Sequence, residues 1–265
     1  MKKFLLTIAC LLTVLLSAEG QQLDSAKIHA VDSLLTGYLA AIGTEPLRVK
    51  TEECDFMISA CTDSLIRQYA AVRLYEHFFS SDLMGDDAVA IHIYDGWFAT
   101  KKVRMYSEID ELNAGIFAEF NRQTLIGCQA PVMEMTGRLG ERVRIPEKGV
   151  YSVLFFYDTD CKTCLAESEL LNALLEKGLF ELDFYAIYIN DDMESWNEFI
   201  DERWTLDCPE VKVTHLWDPQ QETDFLQAYG LIQTPRLFLV APDGRIIGRG
   251  LNTESLLQLL MIYLN

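Results

Sequence analysis

Two hydrophobic rhythms divide this chain. From residue 23 to about residue 124, apolar side chains recur at helical spacing. Val31, Leu34, Leu35, Tyr38, Leu39 and Ile42 follow the i, i+3, i+4 rule, and Gly43 stops the helix they predict. A second helix is expected over Leu47–Ala60. A third begins near Thr62 and carries Leu65, Ile66, Tyr69, Val72, Leu74, Tyr75, Phe78 and Phe79. Asp86 and Asp87 open a fourth with Ile91, Tyr94, Trp97 and Phe98. Ser107 opens a fifth with Ile109, Leu112, Ile116, Phe117 and Phe120. The aromatic stripes read as core, and this half offers no chemistry of its own.

Near Gly127 the rhythm changes. Val132-Met133-Glu134-Met135, a turn at Gly137-Arg138-Leu139-Gly140, and Val143-Arg144-Ile145-Pro146 read as a hairpin. Strands and helices then alternate. Val153–Tyr157 is a short, wholly apolar run, suited to a strand buried on both faces. Asp158-Thr159-Asp160 can cap a helix that carries Cys161 and Cys164 in its first turn and runs to about Lys177. Leu182–Ile189 is a second buried strand, and Asp191-Asp192 cap a helix with Trp196, Phe199 and Ile200. Val211–Leu216 reads as a short strand, and Glu222–Tyr229 as a helix ended by Gly230. Arg236–Val240, the turn Pro242-Asp243-Gly244 and Arg245–Arg249 form a hairpin, and Thr253 opens a last helix. Alternation of this kind predicts a mixed central sheet with helices on both faces.

At 265 residues with half of them apolar, the chain can bury a core without help. Met1–Ala18 reads as a secretory signal: Lys2-Lys3, the apolar stretch Phe4–Leu16, then Leu16-Ser17-Ala18 as the cleavage site. The stretch is too short to span a bilayer. Cys10 after Thr7-Ile8-Ala9 suggests a lipoprotein signal, but the apolar run continues past it, and cleavage near Ala18 is the favoured reading. Loss of the two lysines makes the formal charge of −18 two units more negative. Such a chain is a poor partner for nucleic acid or an anionic membrane.

Six cysteines lie beyond the signal: Cys54, Cys61, Cys128, Cys161, Cys164 and Cys208. The four histidines are scattered, so no metal site is expected. On one continuous helix Cys54 and Cys61 would be separated by about 10.5 Å of rise, whereas a disulfide wants Cα atoms under about 7 Å apart. Buried free thiols are the simpler reading. Cys128 and Cys208 could form a second disulfide, act in resolution or be inert, and inert is the favoured reading. Cys161 and Cys164 differ from these four. A strand delivers them to a helix N-terminus, where free N–H groups and the helix dipole favour a thiolate, and three residues is a reach at which two sulfurs can join and part. A static staple is the weaker reading, because so short a loop restricts the unfolded chain little. Pro235, just before an apolar strand that would not tolerate it inside, suits a cis bond in a turn.

These residues carry a resemblance. From about residue 127 to 265 the chain resembles the thioredoxin-like domains of the TlpA/ResA type, exported bacterial thiol–disulfide oxidoreductases. The matching pieces are Ala130-Pro131, Cys161-Lys162-Thr163-Cys164 with Glu167 three further on, Tyr229–Pro235, and Asp243-Gly244. The helical half loosely resembles a region that often precedes such domains. The expected organisation is a signal peptide at 1–18, an all-α domain at 19–125 and an α/β thioredoxin-like fold at 126–265.

The resemblance implies that Cys161 attacks, Cys164 resolves, and Thr234 beside cis-Pro235 offers its backbone to a substrate strand. Independently, the sulfur nearer the helix N-terminus feels the larger dipole. Lys162 supports the Cys161 thiolate; Asp160, where the family usually has tryptophan, opposes it. Thioredoxins proper carry a buried carboxylate six residues before the first cysteine, and here that position is Phe155. Glu167 is a weak substitute, expected to face solvent or pair with a lysine. Lys162-Thr163 matches neither the Gly-Pro of strong reductants nor the Pro-His of strong oxidants, so the pair alone gives no redox direction. The implied partners are protein disulfides or dithiols and a membrane-linked thiol reductant, with no cofactor. Two other classes compete. A peroxidase-like redoxin would place its cysteine in P-x-x-x-T-x-x-C, absent here; a binding module on a thioredoxin scaffold would leave the cysteines vestigial.

Overall fold

The structure is a computed structural model, described over residues 25–204 and 208–264. The expected signal segment, with Cys10, lies outside the described residues. The chain divides into two compact units, Met1–Glu119 and Phe120–Asn265.

The first unit is helical. Its elements are α1 (Ser25–Ile42), α2 (Leu47–Ala60), α3 (Ser64–Phe79) and α4 (Asp86–Ile93), and α5 (Glu108–Asn121) runs on into the second unit. Asp63 caps α3, its carboxylate accepting from the Leu65 and Ile66 N–H groups. Val31, Leu35, Tyr38, Cys54, Ile58, Leu74 and Phe78 meet in one core. Lys50 and Asp86 form a buried ion pair at 2.6 Å, and the Ser81 hydroxyl donates to the same carboxylate at 2.7 Å. Removing one partner would strand a buried charge. Cys54 and Cys61 are buried free thiols.

Two expectations fail here. The fourth helix does not run regularly to Phe98: α4 ends at Ile93 and Tyr94–Phe98 form a π-helical turn. On α5 the period is right but the phase is wrong. Ala114 and Ala118 are buried, while Ile109, Leu112 and Ile116 are exposed. Small residues let a helix approach closely: a Cβ at Gly115 would lie 2.8 Å from the Tyr94 hydroxyl.

The second unit is a seven-stranded mixed sheet of order β2-β1-β5-β4-β3-β6-β7. The strands are β1 (Met133–Gly137), β2 (Arg142–Ile145), β3 (Ser152–Tyr157), β4 (Leu182–Tyr188), β5 (Val211–Trp217), β6 (Arg236–Val240) and β7 (Ile246–Arg249). The central strands β3, β4 and β5 run parallel, and the hairpins β1–β2 and β6–β7 add antiparallel edges. Every residue of β3 and β4 is buried, as strands in the middle of a sheet with a core on each face should be. Val153, Phe155 and Tyr157 face one core, with α6 (Lys162–Leu175), α7 (Met193–Arg203) and α9 (Thr253–Tyr263). Leu154 and Phe156 face the other, where α8 (Phe225–Ala228) and Tyr229 pack. The expected Glu222–Tyr229 helix thus shrinks to one turn. The buried Asp218 carboxylate accepts from the Glu222 N–H at 3.1 Å and the Thr223 N–H at 2.8 Å, and holds that stretch as a loop.

Candidate functional site: two thiols at a helix N-terminus

Cys161 is itself the cap of α6. Its φ and ψ of −85° and 108° are non-helical, the helix starts at Lys162, and its sulfur accepts the Cys164 N–H at 3.1 Å. The sulfur thus satisfies one of the donors that every helix start leaves open. This corrects the expectation that Asp158-Thr159-Asp160 caps the helix with Cys161 inside its first turn. Those residues form the turn before it: Asp158 accepts the Asp160 N–H at 3.2 Å and is held in place by the Asn190 side chain at 2.8 Å.

Both cysteines are thiols, Cys161 partly exposed and Cys164 fully buried. Burial raises the Cys161 pKa, but hydrogen bonds from the Cys164 thiol, Thr234 and the backbone N–H groups of Cys164 and Thr163 outweigh it. The net shift is downward from the ordinary 9.0. Cys164 goes the other way: burial, then its contact with Cys161, pushes it up to about 12. Such a pair divides the labour, one sulfur ready to attack and one held protonated.

The Cys161 thiol also reaches the Thr234 carbonyl at 3.5 Å, and the Thr234–Pro235 peptide is cis. A second cis peptide, Ile145–Pro146, was not anticipated from the sequence. The loop leading to Pro235 is fixed from behind: the Tyr229 hydroxyl donates to the Pro131 carbonyl at 2.6 Å, and the Leu231 N–H to the Leu226 carbonyl at 2.8 Å. Two residues before Thr234, Ile232 is 67% exposed, an apolar side chain in the open beside the site.

Residues 127–256 match the family model described as Redoxin. The C-terminal half of the chain is a redoxin domain. A thioredoxin-like protein from Bacteroides caccae matches 91% of this chain and 87% of its own at a TM-score of 0.68, and at 18% identity that likeness shows the fold. A thiol-disulfide oxidoreductase from Bacteroides fragilis (21% identity, TM-score 0.45) covers 51% of this chain and 99% of its own. The thioredoxin domain of a thiol-disulfide oxidoreductase from Bacteroides vulgatus (23% identity, TM-score 0.43) covers 53% and 98%. No curated protein matches the chain.

Within the redoxin domain, Cys161, Cys164, Thr234 and Pro235 come together, and Lys162 and Asp160 stand exposed beside them. Glu167 does not join them. Its carboxylate accepts from the Thr253 hydroxyl at 2.6 Å and from the Thr253 N–H, so it serves the start of α9 rather than facing solvent or pairing with a lysine. Cys128 and Cys208 form no disulfide; the Cys208 thiol lies 3.1 Å from the Glu210 carboxylate. Phe155 is wholly buried and stacks on Tyr157 with ring centres 5.2 Å apart.

Proposed function

We propose that this protein is an exported thiol–disulfide oxidoreductase that reduces protein disulfides. The observation that supports the reading is the asymmetry of the pair: a partly exposed Cys161 of lowered pKa capping a helix, and a buried Cys164 of raised pKa one turn on. The Cys161 thiolate attacks a substrate disulfide, forms a mixed disulfide and releases the first substrate thiol. Cys164 then attacks Cys161, the second substrate thiol leaves, and the protein is oxidised to the Cys161–Cys164 disulfide. Thr234 and cis-Pro235 receive the substrate backbone, and Lys162 favours the thiolate. Two electrons from a membrane-linked thiol reductant restore the dithiol. The reading of Met1–Ala18 as an export signal supports a periplasmic setting for the reaction.

The test is a redox titration of the mature protein in defined thiol buffers, with every cysteine mapped by alkylation. Cys161 and Cys164 should titrate together as a reversible two-electron couple. A potential near −270 mV marks a reductase and one near −120 mV an oxidant. A pair that stays oxidised below about −300 mV, or never forms a disulfide, overturns the reading in favour of a binding module. Consumption of added peroxide would favour a peroxidase.

A further inference from the structure

Three loops meet at the end of the sheet that carries Cys161. Strand β3 lies between β4 and β6. β4 runs parallel to it and β6 antiparallel, so the ends of β3 and β4 and the start of β6 share one end of the sheet. The loop after β3 holds Asp158, Asp160 and Cys161, with Lys162 next. The loop after β4 holds Asp191 and Asp192, with Glu194 in the first turn of α7. The loop before β6, on the opposite side of Cys161, holds Ile232, Thr234 and Pro235.

The two acidic loops are tied together. The Ile189 N–H donates to the Tyr157 carbonyl at 3.1 Å, and the Asn190 side chain donates to the Asp158 carboxylate at 2.8 Å. Burial raises the Tyr188 pKa and the charges of Asp158 and Asp192 add to it, so both carboxylates stand near that hydroxyl. Asp192 is kept ionised by the Ser195 hydroxyl and N–H, which lower its pKa. Asp160, Asp191, Asp192 and Glu194 are exposed, and the one basic side chain in either loop is Lys162. On the other side the charge present is Arg236, half-buried and turned towards Gly250, where an added Cβ would lie 3.8 Å from its Nη1. Cys161 thus sits between a carboxylate rim and the exposed apolar side chain of Ile232.

We infer that the substrates of this protein are disulfides flanked by basic residues: a lysine or arginine beside the substrate cysteine meets Asp158, Asp160, Asp191 and Asp192, and an apolar neighbour on the other flank meets Ile232. The inference rests on the oxidoreductase reading above and names its substrate class. What makes the rim a place for a ligand is the sulfur it borders, a partly exposed thiol within 3.5 Å of the Thr234 carbonyl and beside cis-Pro235. Carboxylates beside a thiolate raise its energy, and a cation carried in by the substrate offsets them during attack. The same cation stabilises the thiolate that departs, and a leaving thiol of lower pKa leaves faster. In this step the Cys161–substrate S–S bond forms and the substrate's own S–S bond breaks. The departing sulfur keeps the electron pair and takes a proton from solvent. A rim of one sign also raises the rate at which the opposite charge arrives.

The experiment compares three disulfide-linked peptide dimers, identical except that lysines, serines or glutamates flank the cysteine. The rate of thiol release by the reduced protein is divided by the rate with dithiothreitol, which removes differences in intrinsic reactivity. In dilute salt of about 0.01 M the lysine dimer should be favoured over the glutamate dimer by about tenfold or more, with serine between them. At about 1 M salt, where charges are screened within about 3 Å, the preference should fall close to unity. The double variant Asp160→Asn, Asp191→Asn should lose most of the preference in dilute salt. The field of the whole chain would not give that loss, since the change removes only two charges from a net −18. Because ratios between dimers are compared, a change in Cys161 reactivity cancels. Should the double variant fail to fold, Asp191→Lys decides in its place and should shift the preference towards the glutamate dimer. Equal ratios for the three dimers in dilute salt, or a preference kept in full by the variant, overturn the inference. No thiol released from any dimer overturns the oxidoreductase reading instead.

Discussion

The backbone N–H of Cys164 donates to the Cys161 sulfur at 3.1 Å, so the turn that buries one thiol caps itself with the other. Because the hydrogen bonds to the Cys161 sulfur outweigh its partial burial, its thiolate should form below the ordinary pH of 9.0, and that of Cys164 only near 12. Alkylation of the reduced protein across pH, read by mass spectrometry, should show Cys161 rising first and Cys164 lagging by more than two pH units. A shared midpoint near 9 would refute the asymmetry.

His215 on β5 bears on stability. Burial, with the Arg138 charge nearby, lowers its pKa from 6.5 to about 4; Trp204 lies edge-on at 5.6 Å, and its Nδ1 has no hydrogen-bond partner. The unfolded chain binds a proton below pH 6.5, but the folded chain does so only near 4. Stability from the neutral ring is therefore complete above 6.5 and lost as pH falls towards 4. A shift of that size corresponds to about 3 kcal/mol at most. Urea midpoints should fall between pH 7.5 and pH 4.5, and His215→Phe should flatten that slope. An equal slope in the variant would show that other groups carry it.

Much of this is written in the sequence wherever burial is two-sided. Val153–Tyr157 and Leu182–Tyr188 have no polar face to disguise them, so their place in the middle of the sheet could be read directly. What could not be read was phase and local competition. Ile109, Leu112 and Ile116 have the right spacing, yet alanines at 114 and 118 turn inward because small side chains permit close packing. The Asp218 carboxylate dismantles a helix that propensity favoured over Glu222–Tyr229. At the site, the cysteine spacing and Thr234-Pro235 were legible as a motif. The use of Glu167 at Thr253 was not, because its partner lies 86 residues away.

Gly230 couples the loop before Pro235 to the end of α5 within the second unit. Its φ is +60°, and a Cβ there would clash with the Phe120 carbonyl. The left-handed backbone alone costs a non-glycine residue roughly 1–2 kcal/mol, and the clash adds to it. Gly230→Ala should lower the melting temperature by several degrees and slow disulfide reduction, since the displaced segment carries Thr234. A variant as stable as the parent would mean the Phe120 carbonyl can yield.

Ile232 offers the cleanest separation of substrate binding from thiol chemistry. It is 67% exposed, two residues before the carbonyl that the Cys161 thiol touches, and its own N–H is turned back to the Gly230 carbonyl at 3.1 Å. An exposed apolar side chain at the rim of a reactive thiol suits a substrate backbone flanked by apolar residues, and burying it on binding would contribute about 1.5–3 kcal/mol. Ile232→Glu forfeits that and adds a charge to an already acidic chain. Reduction of a protein disulfide should therefore fall roughly tenfold or more through KM, in line with that burial. Reduction of a small aromatic disulfide, which needs only the sulfurs, should stay within about twofold. Equal losses on both substrates would place Ile232 in the support of Thr234 rather than in substrate contact.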